Sequence, residues 1–152
     1  MKISFIVPCY NEERNINLFY ESVKNSFKNK KYNVELIFVN DGSKDNTYSE
    51  LKKLLSEKTF DIKIINFSRN FGKEAGIYAG LKTCTGDYAV IIDADMQQPP
   101  SLVLPMIEVL DSNSDIDIVS YYQESRIENK LISFIKAKFY KIMGKSMGVN
   151  VK

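Results

Sequence analysis

The sequence predicts an α/β protein: a mostly parallel sheet with helices packed on its faces. Three observations carry that prediction. Apolar stretches of strand length alternate with stretches of helical period over about the first 121 residues, the pattern of successive βαβ units. One stretch, Tyr88 to Ile92 after Asp87, is a continuous apolar run rich in β-branched residues, suited to a strand buried on both faces. Finally, the polar and charged residues gather just after the strands, and right-handed crossovers bring all those carboxyl ends to one edge.

The elements follow in order. Ile3–Val7 is the first strand, ended by Pro8, which cannot donate to a ladder. Tyr10-Asn11-Glu12-Glu13 leads into a helix of about four turns through Phe27, with Ile16, Phe19, Tyr20, Val23 and Phe27 on one face. Val34–Val39 is a second strand. Asn40 to Thr47 is a dense turn signal that runs into a helix containing Leu51, Leu54 and Leu55. Ile62–Phe67 is the third strand, and Ser68 to Lys73 the loop after it. Ala75, Gly76, Ala79 and Gly80 then mark a small-residue helix that can approach a sheet closely. The run ending at Ile92 is the fourth and central strand. Ser101 is placed to cap a helix from Leu102 to Leu110, and Asp117–Tyr121 reads as a last short strand.

Composition bounds the chemistry. The 152 residues suffice for one domain with a real core, and a net charge of +2 argues against bulk nucleic-acid binding. There is no histidine, so histidine triads and histidine metal sites are excluded. Cys9 and Cys84 lie far apart and form no zinc or disulfide pattern, which favours a reducing compartment. The apolar run at the amino terminus is too short for a signal peptide, and no stretch is long enough to cross a bilayer. The turn after the first strand lacks Gly-x-Gly-x-x-Gly and no Walker A sequence occurs, against a dinucleotide site or a P-loop. A nucleotidyltransferase would open with a glycine-rich loop there. A phospho-accepting receiver domain needs a different order of acidic and lysine positions.

The candidate site is the polar edge. Asp93 and Asp95 are two apart; in extended backbone their side chains share a face, with Cα atoms about 6–7 Å apart. Such a pair can share one hard divalent cation, or hold a cation and a sugar hydroxyl. Magnesium takes one or two carboxylates and fills its shell with water and phosphate oxygens, so a diphosphate ligand is implied. Gln97 continues the same alternation and can add an amide oxygen. The plainer reading of the pair is a solvated turn. Asp41-Gly42-Ser43 is either an Asx-turn with Gly42 in a left-handed position or a carboxylate for a base or ribose. Tyr10 is a core-edge aromatic or a stacking platform. Glu12 favours the first turn of its helix through the macrodipole, and Arg69 and Lys73 are solvated charges or phosphate partners. The helix starting near Gly72 offers backbone amides to an anion.

Four motifs in order give the chain a family likeness. They are Val7-Pro8-Cys9-Tyr10-Asn11-Glu12-Glu13, Asn40-Asp41-Gly42-Ser43-Lys44-Asp45-Asn46-Thr47, Ser68-Arg69-Asn70-Phe71-Gly72-Lys73-Glu74-Ala75 and Asp93-Ala94-Asp95-Met96-Gln97-Gln98-Pro99-Pro100. Together they resemble the family 2 glycosyltransferases of the GT-A fold, over about residues 3 to 145. The likeness is closest to the polyprenyl-phosphate branch of dolichol-phosphate mannose synthases and bactoprenol glucosyltransferases. It implies a Rossmann-like three-layer α/β sandwich and an inverting hexosyltransferase using a UDP- or GDP-linked sugar with Mg2+ or Mn2+. It implies that Pro8, Tyr10, Glu12, Val39 and Asp41 form the nucleoside pocket. It also implies that Asp93, Ala94, Asp95 and Gln97 hold ribose, diphosphate and metal, with Asp93, Asp95 and Gln97 as metal ligands. Asp93 and Asp95 are then the catalytic pair. The implied acceptor is a polyprenyl phosphate, already an anion, so no general base is assigned. A saccharide acceptor in capsule or cell-wall synthesis, or a donor-binding fragment without transfer activity, are the alternatives.

Gln98 stands where the bactoprenol branch commonly has an acidic residue. The family pattern continues beyond Lys152 with an acceptor loop and often two membrane helices. An excised or natural fragment is therefore expected, retaining donor binding more readily than transfer. The division expected is a nucleotide-sugar-binding core over 1–124 and a basic amphipathic helical tail over 125–152. In that tail Leu131, Ile135, Phe139 and Ile142 share a face flanked by Lys130, Lys138, Lys141 and Lys145. The tail either packs on protein or lies on an anionic membrane, and the full-length protein is expected at the inner face of the cytoplasmic membrane.

Overall fold

The computed structural model describes residues 1–121. Contacts divide the chain into two compact units, Met1–Val119 and Ser120–Lys152, and the first of them is described below. The expected tail helix lies outside the described residues.

The sheet has four parallel strands: β1 (Lys2–Cys9), β2 (Asn33–Asn40), β3 (Asp61–Asn66) and β4 (Tyr88–Ile91), in spatial order β3-β2-β1-β4. The helices are α1 (Ile16–Phe27), α2 (Thr47–Leu54), α3 (Lys73–Thr83) and α4 (Val103–Ser112). In register, Ile3 pairs with Val34 and Tyr88, and Leu36 with Ile62. Alternation then assigns the two faces. Ile3, Phe5, Val7, Val34, Leu36 and Phe38 point into the main core, where they meet the predicted α1 face of Ile16, Phe19, Tyr20, Val23 and Phe27. Leu51 and Leu54 of α2 and Val103 and Ile107 of α4 close the same layer. The opposite face is covered by α3, with Gly76 and Gly80 buried against the sheet. A Cβ at Gly80 would overlap the Ile6 side chain. Only a missing side chain lets α3 sit this low, as the run of small residues predicts. The result is three layers: α3, the sheet, then α1, α2 and α4.

Four expectations are corrected. β1 runs through Pro8 to Cys9. Even-numbered residues of β1 direct their backbone groups toward β4: the Asp87 amide donates to the Lys2 carbonyl and the Ile92 amide to the Ile6 carbonyl. At Pro8 β4 has already ended, so no ladder partner misses the proline's N–H. Next, β4 is not central or buried on both faces: it pairs only with β1 among the described residues, and Ile91 is 47% exposed. Tyr88 and Val90 pack on the main core while Ala89 and Ile91 face outward past the flank of α3. Ser101 is not a cap. Pro99 is extended and Pro100 opens a 3-10 turn over Pro100–Leu102, and α4 starts at Val103 with no side-chain cap. Finally, Asp117–Tyr121 forms no strand. No neighbouring strand accepts its backbone groups among the described residues, and Ile118 is 85% exposed.

The amino edge of the sheet carries a buried ion cluster. Glu35 is fully buried and accepts from the Lys63 ammonium (2.6 Å), the Lys2 ammonium (2.9 Å), the Ser4 hydroxyl (2.5 Å) and the Thr85 amide (3.0 Å) and hydroxyl (2.9 Å). Burial alone would raise this carboxyl, but Lys63, Ser4, Lys2 and Thr85 together hold it far below the usual carboxylate range. Glu35→Gln is expected to cost about 2–4 kcal/mol at pH 7, in the range for breaking a buried pair whose lysines keep some water. Because the folded carboxyl is depressed, its contribution is complete above the ordinary value of about 4.3 and drains away as pH falls below it. Urea denaturation should therefore show the gap between wild type and Glu35→Gln narrowing below about pH 4, and a pH-independent gap would refute the ion cluster's role.

Candidate functional site

β1, β2 and β3 run outward to one side, and β4 then returns to the other side of β1. The strand order therefore reverses between β1 and β4. In open α/β sheets ligands bind outside the carboxyl ends at such a reversal. Tyr10 follows β1 there, 42% exposed, and Asp93 and Asp95 follow β4.

The four loops at this edge are tied to one another. Asn11, at φ 59°, accepts the Lys44 amide (2.8 Å) on its side-chain oxygen, while its own amide donates to the Ser43 hydroxyl (3.0 Å). The Glu12 amide donates to the Thr47 hydroxyl (2.8 Å), and the Glu13 amide to Asp45 (3.1 Å). Burial would raise the Asp45 carboxyl, but bonds from the Thr47 hydroxyl and amide and the Glu13 amide lower it below its ordinary value. These contacts join the β1 loop to the β2 loop. Asp41, buried after β2, accepts the amides of Phe71 (2.7 Å) and Gly72 (2.9 Å), joining the β2 loop to the β3 loop. Gly42 (φ +63°) lets the loops close: a Cβ there would overlap the backbone of Arg69 and Asn70. The Lys73 ammonium then reaches Asp93 after β4, 2.6 Å from one carboxylate oxygen and 2.7 Å from the other.

Each expected site residue has a definite place. Pro8 and Val39 are register partners, and both lie under α3 at Gly76. Glu12 accepts the Asn15 side-chain amide (2.6 Å) on its carboxylate, and its backbone carbonyl accepts the amides of Asn15 and Ile16 at the start of α1. The amides near Gly72 expected to face an anion are those Asp41 holds. Arg69 is exposed and stacks over Phe71 at 4.8 Å, which meets Phe67 edge-on. Ala94 is buried and anchors the segment between the two carboxylates. The alternation expected to carry Gln97 onto the same face does not extend that far. The chain turns at Ala94 and Asp95, Met96 takes φ 62°, and the Gln97 amide donates to Asp95 (3.0 Å). An Asx-turn has replaced extended backbone.

Asp93 and Asp95 suit a hard divalent ion. They are oxygen donors, both part-exposed, and a Lys73 cation already sits on one of them. No larger group of metal-ligating side chains occurs among the described residues. Cys9 contributes nothing reactive: burial first, then the charges of Glu12 and Asp93, push its thiol far above its ordinary value. A cavity of about 480 Å3, lined by Lys2, Phe27, Lys28 and Lys58 among others, opens at the opposite edge and touches none of these residues.

The fold is that of the GT-A glycosyltransferases. A mannosyltransferase from Pyrobaculum calidifontis, solved with GDP-Man and Mn2+, matches with a TM-score of 0.62 at 22% identity, covering 71% of this chain and 32% of that one. The Glycosyl transferase family 2 model matches residues 4–148, and the chain belongs to that family. It is 38% identical over 151 residues to the putative glycosyltransferase CsbB of Bacillus subtilis, covering 99% of this chain and 45% of the relative. It is 37% identical over 145 residues to a prophage bactoprenol glucosyl transferase homolog of Escherichia coli, covering 95% and 47%. The chain thus spans about half the length of the curated relatives it matches.

The clamp at Asp41 makes a local prediction. Asp41→Ala should cost about 1–3 kcal/mol, since two part-buried hydrogen bonds to a charged acceptor are lost. Hydrogen exchange should accelerate first at Phe71 and Gly72, and unchanged protection there would show that the clamp does not hold the loop.

Proposed function

We propose that this domain binds a nucleotide-diphospho-sugar at the carboxyl edge of its sheet and serves an inverting hexosyl transfer. The observation that carries the reading is the Asp93–Asp95 pair emerging from β4 at the strand reversal, joined through Lys73 and Gly72 to the Asp41 clamp. Tyr10 offers an exposed ring for a base. Asp41 orders the loop that carries Arg69 and Lys73, the cations available for phosphate. Asp93 and Asp95 hold Mg2+ or Mn2+, with Gln97 within the same turn. Held by these residues, such an ion would supply Lewis-acid neutralisation of the nucleoside diphosphate's charge. Manganese in the matched mannosyltransferase supports an ion of this kind.

The acceptor proposed is a polyprenyl phosphate, supported by the bactoprenol relative. Its phosphate is already ionised, so the described residues need supply orientation and charge, not a strong base. A saccharide acceptor is the second reading. Action at a membrane surface, with residues 125–152 as the contact, follows from a lipid acceptor. No helix among the described residues is long and apolar enough to cross a membrane. Chains ending at Glu124 should then lose binding to anionic vesicles in co-sedimentation; equal binding would remove the tail from this role.

Titration calorimetry with UDP and GDP in the presence of Mn2+ tests the donor site. Binding in the micromolar to millimolar range is expected for one of them. Asp95→Ala should abolish its metal dependence with the far-UV circular dichroism unchanged. Absence of heat with both nucleotides would reject the donor site.

A further inference from the structure

The geometry points to Lys73 as a built-in counter-cation that competes with a divalent ion for Asp93 and passes to the phosphate when a diphosphate binds with the ion. This deepens the donor-site reading and rests on it.

The pair is two-pronged: the ammonium lies within 2.7 Å of both Asp93 oxygens. An added cation can share that carboxylate fully only if Lys73 gives way. The two ends of the bridge are mounted differently from the bridge itself. Lys73 is the first residue of α3; the two amides before it are pinned by Asp41, and the Gly76 amide caps back onto the Gly72 carbonyl (3.2 Å). Asp93 is held on its other side by buried Ala94. Between these fixed points the ammonium rides on a flexible four-carbon stem, and the two side chains are 53% and 47% exposed.

That exposure sets the magnitude. A half-solvated pair is worth about 0–1 kcal/mol, so Lys73 weakens binding of a lone divalent ion by up to about fivefold and does not block it. With a diphosphate present, the released ammonium stays within its own reach of new anionic oxygens and exchanges one partner for another. Ion and diphosphate then bind with positive coupling, each strengthening the other by the same factor. Without the lysine, the ion gains the free carboxylate and the diphosphate loses a cation, so the coupling shrinks from both sides.

The test is Mn2+ binding by electron paramagnetic resonance, with and without UDP or GDP, on the full chain. Lys73→Met should tighten Mn2+ alone about two- to fivefold, weaken the nucleotide, and reduce the coupling factor. Lys82→Met, which removes the same charge from the far end of α3, should leave all three unchanged. Equal or weaker Mn2+ binding by Lys73→Met, or the same change in Lys82→Met, overturns the inference. Asp95→Asn separates the levels. If wild type binds Mn2+, Asp95→Asn loses it and Lys73→Met is unchanged, only the counter-cation role falls. If wild type takes no Mn2+ even with nucleotide, the cation site falls and the role of Lys73 with it.

Discussion

Asp41 is a buried carboxylate at the tip of an interior strand, and burial is costly for such a group unless hydrogen bonds satisfy it. Here the satisfaction comes from another loop, through the amides of Phe71 and Gly72. That one exchange fixes where α3 begins, and so where Lys73 and the flank of small residues lie. A parallel sheet makes such exchanges necessary. Four strands end together, their loops cannot pair as hairpins, and each loop must find partners in its neighbours. Among the described residues no buried side-chain polar atom lacks a partner, so the network closes.

The two edges of the sheet handle charge differently. At the amino edge Glu35 is sealed and shared among two lysines and two hydroxyls, and its work is to hold β1, β2, β3 and the start of β4 in register. At the carboxyl edge Asp93 and Asp95 remain partly open to water. Sealed carboxylates specify structure; open ones beside a strand reversal remain available to ligands. The family relationship rests on the match over residues 4–148, and the physical asymmetry of the edges stands independently of it.

Much of this was legible in the residues. The α1 face was readable because a 3.6-residue period encodes burial directly, and the seat of α3 because glycine at positions 76 and 80 has one obvious use. The place of β4 was not readable: an apolar run reports burial but not how many neighbours a strand has. Pro8 misled because its cost depends on which side of β1 its missing amide faces. The convergence of Tyr10, Asp41, Lys73 and Asp93 on one edge followed from topology alone. Their bonds did not, because Asp41 and Gly72 are 31 residues apart and Lys73 and Asp93 are 20 apart. Asn11 and Met96 in left-handed conformations gave only a faint signal; asparagine tolerates that region and methionine rarely does.

Gly42 has no side chain to offer a ligand, yet it sets the gap between two loops by contributing nothing to fill it. The Gly42 and Arg69–Asn70 backbones approach so closely that no Cβ fits between them. A single methyl at that point acts as a wedge, prying the third loop outward while every polar side chain keeps its identity. The spacing of the two loops is thus adjustable from a position with no side chain of its own, a lever for reshaping this edge without altering any polar group on it.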